Sequence, residues 1–235
     1  MITEKYKIPY YSVDSKLNLS ISSIFNYIME IGSVHSDNVG MTNERLVELG
    51  YTWMLYQLRI NINKFPKAQE EISVNTWISK SDKLKSQREV NIVDKNGEIL
   101  VEGTLVWLVI DIAKMRAVKI PEVIKEAYKV EGNESKEEFL NLSKLIIEEE
   151  GNDITVYKSD IDYNQHVNAG VYLRWIVDSI KLDNDKLQSI EILYKDQTFI
   201  EDKVNIKCQK TEEGYLHQIL GNEKTKALAK TKWKE

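Results

Sequence analysis

Apolar and polar positions alternate along several stretches of the chain, the period of a strand with one buried face. Over residues 53–62, Leu58, Ile60 and Ile62 are set against Arg59 and Asn61, and over 70–80 the apolar set is Ile72, Val74, Thr76 and Ile78. Asn96-Gly97 stands between VNIVD and EILVEGTLVWLVI. That pair predicts a hairpin, because it takes up the positive φ angles of a tight β-turn at little cost. Ahead of these strands the period becomes helical. Ile21, Ile24, Phe25, Ile28 and Ile31 share one face, and Ser20 stands where an N-cap belongs. SISSIFNYIMEIGS is apolar on almost every side, so a sheet is expected to wrap it.

The second half repeats this order on a smaller scale. DITVYKSDI predicts a short strand and NAGVYLRWIVDSIK a helix with Val171, Tyr172, Trp175, Ile176 and Ser179 on one side; three or four strands follow. Val204, Ile206 and Cys208 alternate in one of them, residues 211–214 make a turn, and Ala227, Ala229, Thr231 and Trp233 alternate in the last. Laying Asp14 on Asp162, Val13 on Ile161 and Phe25 on Leu173 gives an internal repeat that rests on element order rather than on identity. Between the halves, Pro121 opens a charged stretch, PEVIKEAYKVEGNESKEEF, of the kind at which domains part. The expected organisation is a first domain over 1–125, a partly helical connector over 126–150 and a second domain over 151–235. Strand, long buried helix and antiparallel meander describe a hotdog domain, and one such unit leaves a sheet edge and half a helix uncovered. The expected fold class is therefore α+β: two tandem hotdog domains, each a helix wrapped by an antiparallel sheet, forming an internal pseudo-dimer.

Composition narrows the function. With 42% hydrophobic and 29% charged residues the chain resembles an average globular protein. No apolar run approaches the roughly 18 residues of a membrane span. MITEKYKIPYYSV has neither a signal nor a transit pattern, and Cys208, the one cysteine, rules out an internal disulfide or a thiolate-rich metal site. A cytoplasmic location is expected. The net charge of -5 argues against nucleic acid as the partner. Two Lys-rich segments, 80–88 and 224–234, could meet an acidic partner or phosphates, or could be solvated strand faces.

The densest group of chemically useful residues is DYNQHVN, 162–168. If this segment is extended, Asp162, Asn164 and His166 point the same way. Asn168 can cap the helix that follows and aim backbone N–H groups of residues 167–170 at the same place, which suits a developing oxyanion. There is no Gly-x-Ser-x-Gly elbow, phosphate loop or Cys-x-x-Cys pair. Among the other candidates, His35 on the first helix reads as a hydrogen-bonded structural residue, His217 as a surface residue on a strand, and Cys208 as core.

DYNQHVNAGVYLRW, 162–175, resembles the acyl-acyl carrier protein thioesterases of plants and bacteria, whose pattern is Asp-x-Asn-x-His-Val-Asn-Asn followed by Tyr and Trp at the places of Tyr172 and Trp175. Glu30, His35, Gly40, Trp53, Thr76-Trp77, Arg88, Gly97-Glu98, Val106-Trp107, Arg116 and Ile120-Pro121 carry the resemblance through the first half. Ala169 replaces the second Asn of the motif. Gln197 stands where the family has a Glu, and Thr198 where some members have a Cys.

The resemblance implies hydrolysis of fatty acyl-acyl carrier protein to free fatty acid and holo carrier, with Asp162, Asn164, His166 and Gln197 as the catalytic set and no cofactor or metal. Gln197 can hydrogen-bond a water but cannot take its proton, so the base is Asp162 or His166. A thiol leaving group with a pKa of roughly 8.5 departs readily, so an oriented water and donors at the carbonyl suffice. Ile24, Ile28, Met29, Trp53 and Leu55 are the candidates for an acyl-chain pocket, with Asn168 near the thioester. The implied partner is acyl carrier protein bearing an acyl-phosphopantetheine. Acyl-coenzyme A hydrolysis, acyl binding without turnover and hydration of an enoyl thioester stay open, as does pairing into a homodimer.

Overall fold

Ser20 accepts the Ser23 N–H at 3.2 Å through its hydroxyl, so helix α1 (Ile21–Asn38) begins at the predicted cap. The structure is a computed structural model that describes residues 1–133 and 138–234, and the chain divides into two units, Met1–Glu138 and Phe139–Glu235. In the first unit β1 (Ile2–Lys7), β2 (Tyr51–Ile62), β3 (Glu71–Ser81), β4 (Lys85–Asp94) and β5 (Ile99–Asp111) form an antiparallel sheet in the order β1-β3-β4-β5-β2, and β6 (Arg116–Val118) pairs with β5. The Asn96-Gly97 turn joins β4 to β5. Gly97 has φ 84, and the Asp94 carboxylate accepts the N–H groups of Asn96 at 2.8 Å and Glu98 at 2.9 Å.

Helix α1 buries Ile21, Ile24, Phe25, Ile28, Ile31 and His35. At the sheet centre Ile28 sits on Gly103, where an added Cβ would come within 3.2 Å of the Ile28 Cδ1, so glycine lets helix and sheet approach closely. Toward the C-terminal end of α1, Arg88 donates to His35 Nδ1 at 2.9 Å and to Thr76 Oγ1 at 3.1 Å. Two short helices close this end. Leu46 of α2 (Asn43–Glu48) and Ile124 of α3 (Glu122–Ala127) pack with Met41, Ile78, Val109, Ile120 and Tyr128. The stretch after Pro121 is thus charged on its outer side and anchored by Ile124 and Tyr128 on its inner side. The middle of the expected connector, residues 134–137, lies outside the described residues.

The second unit has β7 (Asn152–Ile154), α4 (Ala169–Asp178), β8 (Leu187–Tyr194), β9 (Val204–Thr211), β10 (Gly214–Gly221) and β11 (Lys224–Trp233), paired in the order β7-β9-β10-β11-β8. Reading β7 for β1 and β8 for β2, with β9 to β11 for β3 to β5, this is the strand order of the first unit. Register carries the correspondence further, since His217 faces Ala229 as Val90 faces Gly103.

That register corrects one expectation. His217 is fully buried rather than on the surface, because it takes the place of a core valine. Its Nε2 lies 3.0 Å from Thr231 Oγ1, while Nδ1 finds no hydrogen-bond partner among the described residues. Cys208 is half-buried with an unpaired thiol, which burial pushes up to about 11.

Candidate active site

DYNQHVN folds as a tight turn rather than an extended strand. The Asp162 N–H donates to the His166 carbonyl at 3.0 Å and the Gln165 N–H to the Asp162 carbonyl at 3.0 Å, while Ile161 and Val167 face each other in an antiparallel bridge. The cause is the aspartate. Its Oδ1 accepts the Asn164 N–H at 2.8 Å, a local bond that competes with extended structure, and Gln165 follows at φ 65. Alternate residues therefore do not share a face. Tyr163, Asn164 and Gln165 form the exposed tip, whereas Asp162 and His166 are half-buried at its base, with His166 Nδ1 3.3 Å from the Val167 carbonyl.

Asn168 caps α4, its Oδ1 accepting the Gly170 N–H at 2.8 Å. Replacing it with Ala is expected to lower stability by about 1 kcal/mol, read as a shift in the urea midpoint. The backbone N–H groups of residues 167–170 were expected to face a carbonyl, but three are engaged. Those of Val167 and Asn168 go to the carbonyls of Thr198 at 2.8 Å and Asp160 at 2.9 Å, and that of Gly170 goes to the cap. For the Ala169 N–H no hydrogen-bond partner is found among the described residues.

The bond from Val167 to Thr198 lays the β8–β9 loop beside the turn. Gln197, exposed on that loop, therefore lies in the same region as Asp162, Asn164 and His166. Beneath it, the Tyr172 hydroxyl donates to Thr198 Oγ1 at 2.7 Å, and the Tyr194 hydroxyl donates to the Ala169 carbonyl at 3.0 Å. The two rings meet edge to face at 5.6 Å. Burial pushes Tyr172 up to about 12 and Tyr194 well above its ordinary value, so both hydroxyls stay protonated donors. Buried Asp160 holds the start of the turn through Arg174 at 2.6 Å and the Tyr157 N–H at 2.9 Å. Nothing in the spacing of the sequence singled out Asp160.

The pocket candidates of the first unit fall into two groups. Ile24, Ile28 and Leu55 are buried and Met29 is half-buried along α1 and β2. Trp53 instead packs edge-on against Tyr128, at 5.8 Å, in the cluster where His35 also stacks. His35 is held down to about 4 by burial and then by the Arg88 charge, so it is a neutral structural histidine that accepts from Arg88. In the Lys-rich segments Lys80, Lys83, Lys85, Lys224, Lys232 and Lys234 are exposed, but not every cation is. Arg88 and Lys226 are buried, and Lys230 pairs with Glu213 at 2.5 Å.

Family models for the acyl-ACP thioesterase N-terminal domain and C-terminal domain match residues 1–128 and 143–235. An acyl-[acyl-carrier-protein] hydrolase of Cuphea viscosissima, named as chloroplastic, is 26% identical over 211 residues, covering 82% of this chain and 51% of that protein. Oleoyl-acyl carrier protein thioesterase 1 of Arabidopsis thaliana, also named as chloroplastic, is 24% identical over 231 residues, covering 89% and 64%. The chain spans about half the length of the first of these curated relatives. Among solved structures, an acyl-ACP thioesterase from Bacteroides thetaiotaomicron superposes with a TM-score of 0.89 at 21% identity, over 99% of this chain and 97% of that one. A 12:0-ACP thioesterase from Umbellularia californica gives 0.82 at 19%, over 99% and 96%. These two likenesses speak for the fold. No helix among the described residues is long and apolar enough to cross a membrane.

Proposed function

Since this chain belongs to the acyl-ACP thioesterase family, we propose that it hydrolyses fatty acyl-acyl carrier protein to free fatty acid and holo acyl carrier protein. What supports this is the match of both family domains in order, with the His166 turn inside the second. In this reading His166 takes a proton from a water while the water oxygen attacks the thioester carbonyl carbon. The Ala169 N–H and the Asn164 amide meet the oxyanion. The C–S bond then breaks, and the leaving sulfur takes the proton back from the imidazolium. Gln197 orients the water as a hydrogen-bond partner only, and Asp162 shapes the turn. No covalent nucleophile is needed, because the leaving thiol is a weak base compared with an amine. A thiol held up at about 11, as Cys208 is, makes a poor nucleophile.

Ile24, Ile28, Met29 and Leu55 are the proposed apolar wall for an acyl chain within the first unit, and Trp53, packed on Tyr128, stands apart from it. A compartment that keeps thiols reduced suits a chain with one unpaired cysteine. The presence of Gln197 where the family has a carboxylate favours a second reading, acyl binding without turnover. A panel of acyl chains of different length on acyl carrier protein and on coenzyme A, followed by free-thiol release, separates these. Repeated turnover, faster on the carrier protein and weakened by salt, is the expected result. Faster turnover on coenzyme A overturns the carrier assignment. Substrate left intact by stoichiometric protein points to a binding protein.

A further inference from the structure

The duplication supplies an internal control for the candidate site. In the first unit the Asp14 N–H donates to the Asn18 carbonyl at 2.8 Å and the Leu17 N–H to the Asp14 carbonyl at 3.0 Å. Asp14 Oδ1 accepts the Lys16 N–H at 2.8 Å, and Leu17 has φ 62. The Leu19 N–H donates to the Pro66 carbonyl at 2.8 Å, and the Ser20 N–H to the Ser12 carbonyl at 3.0 Å. These are the backbone bonds of the second unit, with Asp14 for Asp162, Asn18 for His166, Leu19 for Val167, Ser20 for Asn168 and Pro66 for Thr198.

The loop beside the turn is tied at its other side in the same way. The Leu100 carbonyl accepts the N–H groups of Asn63 at 3.0 Å and Lys64 at 3.2 Å; the Lys226 carbonyl accepts those of Lys195 at 2.8 Å and Asp196 at 3.2 Å. Leu100 and Lys226 are both the extra residue of a β-bulge, skipped where the register jumps between Ile92 and Val93 and between Ile219 and Leu220. A bulge re-aims its side chain, which is how Lys226 comes to point inward from a strand that otherwise alternates.

The backbone circuit thus needs neither a histidine at the turn nor a lysine at the bulge. The first unit makes it with Asn18 and a fully buried Leu100. In the second unit the buried Lys226 ammonium donates to the Gln197 carbonyl at 2.6 Å and to Asp196 Oδ2 at 3.1 Å, and lies 3.5 Å from Asp202 Oδ2. Gly221 makes room for its stem, since a Cβ there would lie 2.6 Å from Lys226 Cε. A buried ion pair is a poor way to gain stability when an apolar residue can fill the same place.

We propose that Lys226 is a positioning residue of the candidate site, fixing the β8–β9 loop, and with it Gln197 and the Thr198 carbonyl, against the turn that carries His166. It works through backbone on both sides: its ammonium holds the Gln197 carbonyl, and the next carbonyl, that of Thr198, holds the Val167 N–H. The kinetic part of the proposal rests on the hydrolase reading above.

Lys226→Leu installs the residue of the first unit. The expected result is a folded protein with KM within about twofold and kcat at least about tenfold lower, as for misplaced groups in an assembled site. Hydrogen exchange at the Val167 amide should quicken about tenfold while that of Leu19 is unchanged. Lys226→Arg should regain most of kcat. If the single variant does not fold, Lys226→Leu with Asp202→Asn, which removes the stranded carboxylate, takes its place. Unchanged kcat in a folded variant, or a loss with KM rising in step and no rescue by Arg, overturns the proposal. If the wild type releases no thiol, the hydrolase reading has failed by itself. Exchange at Val167 in Lys226→Leu against the wild type, with Leu19 as the reference, then decides the role of Lys226, and unchanged protection of Val167 would refute it.

Discussion

His166→Ala is expected to slow acyl thioester hydrolysis by about 10²–10⁴-fold, the range for a lost general base. Stability should hardly change, because the ring is half-buried and the contact it would lose, Nδ1 to the Val167 carbonyl, is 3.3 Å long. Asp162→Asn should behave differently. The side chain keeps an oxygen for the Asn164 N–H, and Asp14 forms the same turn in a unit with Asn18 at the histidine position. Turnover near that of the wild type is therefore expected. Asp162→Ala removes the acceptor from a charge-assisted bond worth about 1–3 kcal/mol and lets the turn, and His166 with it, move. Single-turnover thiol release from the three variants distinguishes the roles. Should Asp162→Asn fall as far as His166→Ala, the carboxylate is the base and the histidine its partner.

Lowering the pH from 7 to 5 is expected to destabilise both units before the carboxylates titrate. Burial keeps His35 neutral down to about 4 and His217 down to about 3. In the unfolded chain each binds a proton below about 6.5. Between those values the unfolded state holds the extra proton, so stability is fully present above about 6.5 and is lost as pH falls toward the folded-state pKa. The slope approaches about 1.4 kcal/mol per pH unit for each histidine, a large share of the roughly 5–15 kcal/mol that holds a globular chain together. Carboxylates such as Asp94, held low chiefly by the Glu98 N–H, add their loss only at lower pH. Urea midpoints at pH 7 and pH 5 measure the effect. His217→Val, which installs the residue of the first unit, should flatten the dependence in the second. Equal midpoints at the two pH values for the wild type would show that neither histidine is kept neutral by the fold.

What the sequence determined by itself was local in its physics. Alternation placed the strands around Leu58 and Ile72, helical period placed α1 and α4, Ser20 and Asn168 marked their caps, and Asn96-Gly97 marked its hairpin, because each signal is read within a few residues of chain. The order of these elements carried the two hotdog units and their repeat, and the DYNQHVN match carried the family. The tertiary structure decided what depends on partners far away in the chain. Alternation along β11 puts Lys226 outward with the other lysines of 224–234; a bulge, made where β10 and β11 fall out of register, turns it inward onto Asp196, Asp202 and the Gln197 carbonyl. His217 is polar and was placed on the surface, yet strand pairing sets it where the first unit has Val90. DYNQHVN also changed in meaning. Spacing of two suggested one face of a strand, but the Asp162 carboxylate bonds its own backbone and closes a turn that Asp14 makes as well. That leaves His166, with Asn18 in its place in the first copy, as the turn residue able to exchange a proton near neutral pH, while the shared turn geometry shows only once both are folded.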